Sequence, residues 1–384
     1  MTPARSFSIA ICVALTAGTS WTQTSGTTSP APPAPSQTPA APPAPVAPPY
    51  VLGPVTFSGL VDVYYDLNFN HPASGFNGLR NFDEKGNQFS LNMAKLTAEH
   101  SADPLGFRVD LGFGRAFDTI HATEQAPNIF RYLEQAYVSV KPPKAGGLQI
   151  DFGEFVTAAG AEVIETKDNW NYSRSLLFAW GIPYYHFGVR ASMPVGKHFT
   201  GMVHLVNGWN NVEDNNSGKT VGLSGAFTSS KVTWTHTYHV GPEKTGTNKG
   251  YRQLYDTTLL LTPDPKTSMY VNFDYGRDKN IGTGAQRWVG VAAAARYQAT
   301  SIFALAPRVE WFNDATGFST GAKQKVKEFT MTGEFKTGDA LVTRLEYRRD
   351  FSDTAFFERG ATPGLHKSQT TLLVGLMAYF GPKK

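Results

Sequence analysis

The sequence predicts an all-β chain, a transmembrane up-and-down antiparallel β-barrel of about sixteen strands with long extracellular loops and short periplasmic turns. Three observations carry that prediction. Apolar residues recur at period two in segments of about ten residues, the length a tilted strand needs to cross hydrocarbon. The connections between these segments alternate short and long, as they must when a barrel has one end on each side of a membrane. The composition suits strands and turns: of 384 residues, 37 are glycine, 13% are aromatic and 17% are charged. A mean hydropathy of -0.27, with no run of about 20 apolar residues, excludes a bundle of membrane helices. The formal charge of +4 is too small to imply a nucleic-acid partner.

The chain opens with Arg5 ahead of an apolar stretch, Phe7 to Ala17, followed by the small residues Gly18, Thr19 and Ser20. Residues 1–23 are therefore expected to be a secretory signal peptide, its apolar part too short to span as a helix. Cys12 is the single cysteine and lies inside that stretch, so the exported protein is expected to have no disulfide and no thiol chemistry. From Thr24 to Pro49 the chain is almost entirely Pro, Ala, Ser and Thr. Such a segment cannot bury enough apolar surface to offset its ordering entropy, and residues 24–54 are expected to be a disordered periplasmic linker. The barrel is expected over 55–381.

In chain order, strands are predicted near 55–68, 87–100, 105–116, 131–141, 147–156, 183–194, 198–208, 219–228, 231–240, 251–262, 267–277, 286–299, 302–313, 325–336, 339–351 and 369–381. The first shows the pattern: Phe57, Gly59, Val61, Val63, Tyr65 and Leu67 share one face, with Asp62, Tyr64 and Asp66 on the other. Leu105, Phe107, Val109, Leu111 and Phe113 likewise oppose Arg108 and Asp110, and Met269, Val271, Phe273 and Tyr275 oppose Asn272 and Asp274. Short links such as 101–104, 194–197, 229–230, 263–266 and 337–338 alternate with long ones near 69–86, 117–130, 157–182, 209–218, 241–250, 278–285, 314–324 and 352–368. Greek-key sandwiches would not produce this alternation. Hydrocarbon supplies no hydrogen bonds, so a spanning sheet must close on itself. A Lys or Arg facing lipid at the midplane costs about 2–4 kcal/mol, which places the arginines of these strands on the inner face. Lys95, between Ala94 and Leu96, breaks the register and marks a bulge or a misplaced strand. Phe57, Tyr132, Tyr185, Phe199, Trp209, Trp234, Tyr251 and Trp311 are candidates for the aromatic girdles at the interfaces.

The runs Gly153-Glu-Phe-Val-Thr-Ala-Ala-Gly-Ala-Glu162, Asn169-Trp-Asn-Tyr-Ser-Arg-Ser175 and Ile182-Pro-Tyr-Tyr-His-Phe-Gly-Val-Arg190 resemble the β-barrel porin-2, or OmpL-like, family. Gly59-Leu-Val-Asp-Val-Tyr-Tyr65 and Leu133-Glu-Gln-Ala-Tyr-Val138 are similar to its other recurring pieces, and the resemblance covers nearly all of 55–381. It implies an outer-membrane channel and fixes no substrate. The chain departs from the usual barrel ending, because Phe380 is followed by Gly381-Pro-Lys-Lys384.

The expected function is that of a porin, a passive channel for small polar solutes or ions in the outer membrane of a Gram-negative-type bacterium. By the period-two pattern, Asp62, Asp66, Arg108, Asp110, Asp151, Arg190, Asp274, Arg296, Arg308, Glu310, Arg344, Glu346 and Arg348 are expected to line a water-filled lumen. By analogy with porins, the longest connection, about 157–182, folds inward and narrows the pore. Its charges Glu162, Glu165, Lys167, Asp168 and Arg174 would face a wall including Arg308, Arg344 and Arg348, setting a transverse field. The expected partners are outer-membrane lipid, small hydrophilic solutes and the barrel assembly machinery, and a homotrimer is a common arrangement for barrels of this size. The alternative is a plugged structural or adhesive barrel that binds a partner through its outer loops. An outer-membrane hydrolase using His366 and Ser368 is weaker, since no third group orients them. No catalytic, metal or cofactor motif is found. His236 and His239, three apart on a strand, point to opposite faces and cannot form a metal pair.

Overall fold

The computed structural model describes residues 51–124, 128–280, 284–360 and 364–382. The predicted signal peptide and the linker up to residue 50 lie outside the described residues, while Val51 and Leu52 form a short strand folded back onto Val55 and Thr56. Sixteen barrel strands follow: β1 (Val55–Asn68), β2 (Gln88–His100), β3 (Leu105–Phe113), β4 (Leu133–Val140), β5 (Gln149–Val156), β6 (Tyr185–Val195), β7 (Phe199–Val206) and β8 (Thr220–Thr228) come first. Then come β9 (Val232–Gly241), β10 (Arg252–Asp264), β11 (Thr267–Asn280), β12 (Gly284–Gln298), β13 (Phe303–Asp314), β14 (Gln324–Thr337), β15 (Leu341–Ser352) and β16 (Ser368–Phe380). Each pairs antiparallel with its sequence neighbours, and β16 pairs with β1 from Thr371↔Asn68 to Phe380↔Gly59. The sheet closes, so no row of backbone donors and acceptors faces hydrocarbon.

The inside–outside alternation follows the sequence. On β1, Val61 is 49% exposed on the outer face while Asp62 and Asp66 are fully buried inside. One predicted long loop, 278–285, is much shorter, because β11 and β12 extend until Asn280 pairs with Gly284. Two of the girdle candidates also turn inward. Tyr185 is buried, its hydroxyl 2.8 Å from Glu124 Oε2 and 2.7 Å from the Asn210 carbonyl, either of which can take its one proton, and Trp209 packs edge-on against Trp288. The register break near Lys95 is a bulge: Asp62 faces Met93 but Val63 faces Leu91, leaving Asn92 as the extra residue. Asn92 and Met93 both point inward, and the shift carries Lys95 to the inner face.

Two short helices, α1 (Arg115–Ile120) and α2 (Leu176–Trp180), lie in the long connections. Ser175 caps α2, its hydroxyl accepting from the Phe178 N–H at 3.0 Å. Within the barrel these connections build an apolar core. Phe82, Phe117, Ile120, Ile164 and Phe178 pack with the inward wall residues Leu60, Tyr64, Met93 and Met377.

Candidate functional site

The wall from β13 to β16 and on to β1 carries a lattice of inward charges set by strand register. Arg308 (β13), Thr330 (β14), Arg348 (β15) and Thr371 (β16) lie in one cross-strand row. Glu310, Glu328, Asp350 and Gln369 form the next, and along β15 Arg344, Glu346, Arg348 and Asp350 alternate in sign. The outward neighbours Val309, Phe329, Met331, Leu345 and Tyr347 are exposed to the lipid side.

Residues 157–184 are bound to this lattice through their backbone. Arg344 donates to the carbonyls of Thr166 at 2.7 Å and Asn171 at 2.9 Å, and also to that of Asn169. Arg308 donates to the Ser173 carbonyl at 2.7 Å and to Glu162 Oε1 at 2.7 Å, and Arg348 donates to the Arg174 carbonyl at 2.5 Å. Glu346 takes the N–H groups of Tyr172 at 2.6 Å and Ser173 at 2.9 Å, and Glu310 takes that of Leu176 at 2.7 Å. The division of labour is chemical: guanidinium groups satisfy carbonyls and carboxylates satisfy N–H groups of a buried, irregular segment. Tyr172 completes the contact by donating its hydroxyl to Asp62 Oδ1 at 2.6 Å. Its ring packs against Gly375 of β16, where any Cβ would stand 2.3 Å from ring carbon. Glycine there is what lets the segment approach the wall.

The charges expected along the lumen therefore fall into two sets. Asp62, Asp66, Asp274, Arg308, Glu310, Arg344, Glu346 and Arg348 are buried, most of them at the contact just described. Arg308 pairs with Glu310 at 3.2 Å, Arg348 with Asp350 at 2.9 Å, and Arg344 with Glu334 at 2.8 Å. Asp66 accepts from Asn77 at 2.6 Å and Asp274 from Asn272 at 3.3 Å. Arg108, Arg190 and Arg296 keep part of their side chains exposed, paired respectively with Asp110 at 3.1 Å, Asp151 at 2.7 Å and Glu334 at 2.8 Å. Within the segment, Glu162 and Arg174 are buried, whereas Lys167 and Asp168 remain accessible and pair with each other at 2.6 Å.

A second contact fastens the segment near β2–β4. Lys95 Nζ lies 3.0 Å from Asp110 and 3.0 Å from Glu134, and it hydrogen-bonds Glu165. Burial alone would raise the Glu165 carboxyl, but the Lys95 ammonium outweighs it and holds Glu165 down to about 2. Asp110, Glu134 and Glu165 bring their oxygens within 4.8 Å of one another, a spacing that suits a cation, and the Lys95 ammonium is that cation. The sequence pattern had singled out Lys95 only as an anomaly. Glu328 and Glu334 share the inward parity of β14 and were legible in the same way as Glu310 and Glu346. Arg80, which pairs with Asp350 at 3.1 Å from the 69–87 connection, had no sequence signal.

Sequence comparison matches residues 54–380 to the family described as Putative beta-barrel porin-2, OmpL-like. The chain belongs to that family. No protein of curated function matches it significantly. Among solved structures it is similar to OmpT of Vibrio cholerae, with TM-score 0.56 and 13% identity over 85% of this chain and 97% of that one. The outer membrane channel DcaP of Acinetobacter baumannii aligns with TM-score 0.56 and 12% identity, over 85% and 97%. The anion-selective porin from Comamonas acidovorans gives 0.55 and 12%, over 85% and 99%. At such identities the likeness is one of fold. This porin-family chain is an outer-membrane β-barrel.

Proposed function

We propose that the barrel is a passive channel for small polar solutes or ions, narrowed by residues 157–184. The observation that carries this is the backbone anchoring of that segment on Arg308, Arg344, Arg348, Glu310 and Glu346. The Lys95 contact, the Ala161 N–H donating to Asn272 Oδ1 at 3.3 Å and Trp288 donating to the Gly181 carbonyl at 3.0 Å tie it to the rest of the wall, so the segment spans the bore. The accessible Lys167 and Asp168 of the segment, together with Arg108, Arg190 and Arg296 on the wall, would set the field that passing ions meet. Homotrimeric assembly fits the barrel's size, and the trimer form of Vibrio cholerae OmpT shows such an assembly for a barrel of similar fold. Planar-bilayer recording of the detergent-folded protein tests the proposal, with the reversal potential taken under a salt gradient. Discrete steady openings are expected, and deletion of 163–172 is expected to raise conductance. Unchanged conductance in the deletion would overturn the constriction.

One observation favours the plugged barrel as a second reading. Phe82, Phe117, Ile120 and Phe178 bring an apolar core into the bore from three different connections. A folded protein that never conducts, in wild type or deletion, decides for that reading and moves function to the outer loops.

A further inference from the structure

The outer face of the barrel is charged on one side only. The outward positions of β1 to β10 carry no Lys or Arg, whereas those of β11 to β16 carry Arg277, Lys279, Arg287, Lys325, Lys327 and Arg349 and no Asp or Glu. All six stand toward the extracellular ends of their strands, Arg277 half-buried and the others exposed. Lys327 sits in one cross-strand row between Trp311 of β13 and Phe351 of β15, and Arg349 sits one row nearer the midplane between Phe329 and Thr370. Rows on one face are two residues apart, so at a strand tilt of about 40° Arg349 lies about 5 Å deeper than Lys327. Aromatic residues gather at headgroup level, and these cations share their rows. They face sideways into the membrane boundary, not upward into water and not into the bore.

We propose that this collar binds a lipid of the outer leaflet that carries phosphate in its headgroup and several acyl chains. The protein supplies no counter-charge of its own. The ion pairs of β11 to β15 run through inward arginines and Lys336, and among the described residues no acid pairs with any of the six. Asp353, beside the patch, accepts from the Lys325 N–H at 2.8 Å and leaves the ammonium free. Arg277 and Arg287 stand directly opposite each other across β11 and β12, an arrangement that like charges make unfavourable unless an anion lies between them. Arg277 Nε is buried with no hydrogen-bond partner, the unmet donor such an anion would satisfy. Lys327 and Arg349 are diagonal neighbours about 7–8 Å apart, within reach of one phosphate for two long side chains. Below them Phe329, Met331, Leu345 and Tyr347 are exposed on the same face and offer an apolar track for the chains. The headgroup thus meets cations and the chains meet hydrophobic wall, which a soluble anion would not use. The site rests on placement in the outer membrane and does not depend on whether the barrel conducts.

The test titrates the full folded barrel, in detergent micelles, with diphosphorylated lipid A and with the same lipid stripped of its phosphates, counting bound lipid by native mass spectrometry. The phosphorylated form should bind at least about tenfold tighter. Lys327→Gln and Arg349→Gln should each weaken it about fivefold, whereas Lys336→Gln at the periplasmic end should leave it unchanged. Inorganic phosphate, matched in ionic strength with chloride, should not displace the lipid. Displacement by phosphate would mark a free-anion site and overturn the lipid assignment. Equal binding of the two lipid forms, or full affinity in the Lys327→Gln/Arg349→Gln double variant, would equally end the proposal. If the variants fail to fold, the comparison of the two lipid forms on the wild-type barrel decides alone.

Discussion

Two halves of the barrel's inner wall do different work. The half from β13 through β16 to β1 carries arginines and carboxylates that take up backbone groups of the segment between Thr166 and Leu177. The half from β5 to β9 carries histidines and Phe155, and its contact with the same segment includes Thr237 donating to the Ala158 carbonyl at 3.3 Å and Thr157 meeting His186. The first half shows how a barrel can hold a structureless segment in its bore. Fixed, fully paired charges replace the water that the segment's peptide groups would otherwise need. The second half has no such lattice, so its burial is aromatic and leaves ring nitrogens unmatched.

The sharpest way to break this contrast is at Arg344. Arg344→Ala removes the donor to three carbonyls and leaves Glu334 without one of its two arginines. Removing one partner of a buried pair costs about 3–5 kcal/mol. Urea unfolding of the lipid-reconstituted barrel, followed by its heat-sensitive gel mobility, is expected to show a loss of that size, with residues 163–172 newly open to protease.

Lys95 comes next. Lys95→Gln strips the ammonium from three carboxylates and is expected to destabilise the folded barrel by about 2–3 kcal/mol at neutral pH, since hydrogen bonds to charged groups are the strong ones. The pH response separates this latch from the Arg344 anchor. In the wild type, Glu165 is lowered from 4.5 to about 2, so its stabilisation is fully present above about 4.5 and is lost as pH falls through about 2. Between pH 8 and 5 the Glu165 contribution to wild-type stability should be flat. In the variant, the largest opposition to burial is gone, with only Arg108 and a backbone hydrogen bond still favouring the charged form, so Glu165 rises and acidification from pH 7 to 5 should recover stability. If the stability of the variant changes from pH 7 to 5 by the same amount as that of the wild type, Lys95 does not hold the segment.

Much of this architecture was legible in the sequence, and what escaped has a common cause. The predicted strand at 55–68 is β1 to the residue, and 303–314 and 341–352 differ by one or two positions from the segments expected. A period-two pattern fixes faces locally, and a charge on the wrong face is penalised locally. Inward parity alone placed Arg308, Glu310, Arg344, Glu346 and Arg348 on the wall. What they touch was not legible, because the partner atoms are backbone carbonyls and N–H groups some 135 to 178 positions away, which no side-chain pattern encodes. His239 illustrates the same limit. Its neighbour along the chain, His236, lies on the outer face beside the Tyr255 hydroxyl at 2.9 Å, while its true neighbours come from β6 and β7.

A matched pair of single-atom changes sharpens the comparison at its finest scale. Tyr172→Phe keeps the ring over Gly375 and removes only the hydroxyl that donates to Asp62. Asp62 retains Thr166 at 2.5 Å and Asn92 at 2.6 Å, so the carboxylate is not abandoned, and the loss should sit near the low end of the about 1–3 kcal/mol expected for an unmade bond to a buried charge. Thr237→Val on the opposite half removes a long, neutral hydroxyl bond to Ala158 and the acceptor of the Ser224 hydroxyl at 3.1 Å, and should cost about 1 kcal/mol. Unfolding midpoints of the two variants against wild type give the ratio directly. If Thr237→Val costs as much as Tyr172→Phe, the charged half is not the stronger anchor of the segment and the contrast between the two halves is wrong.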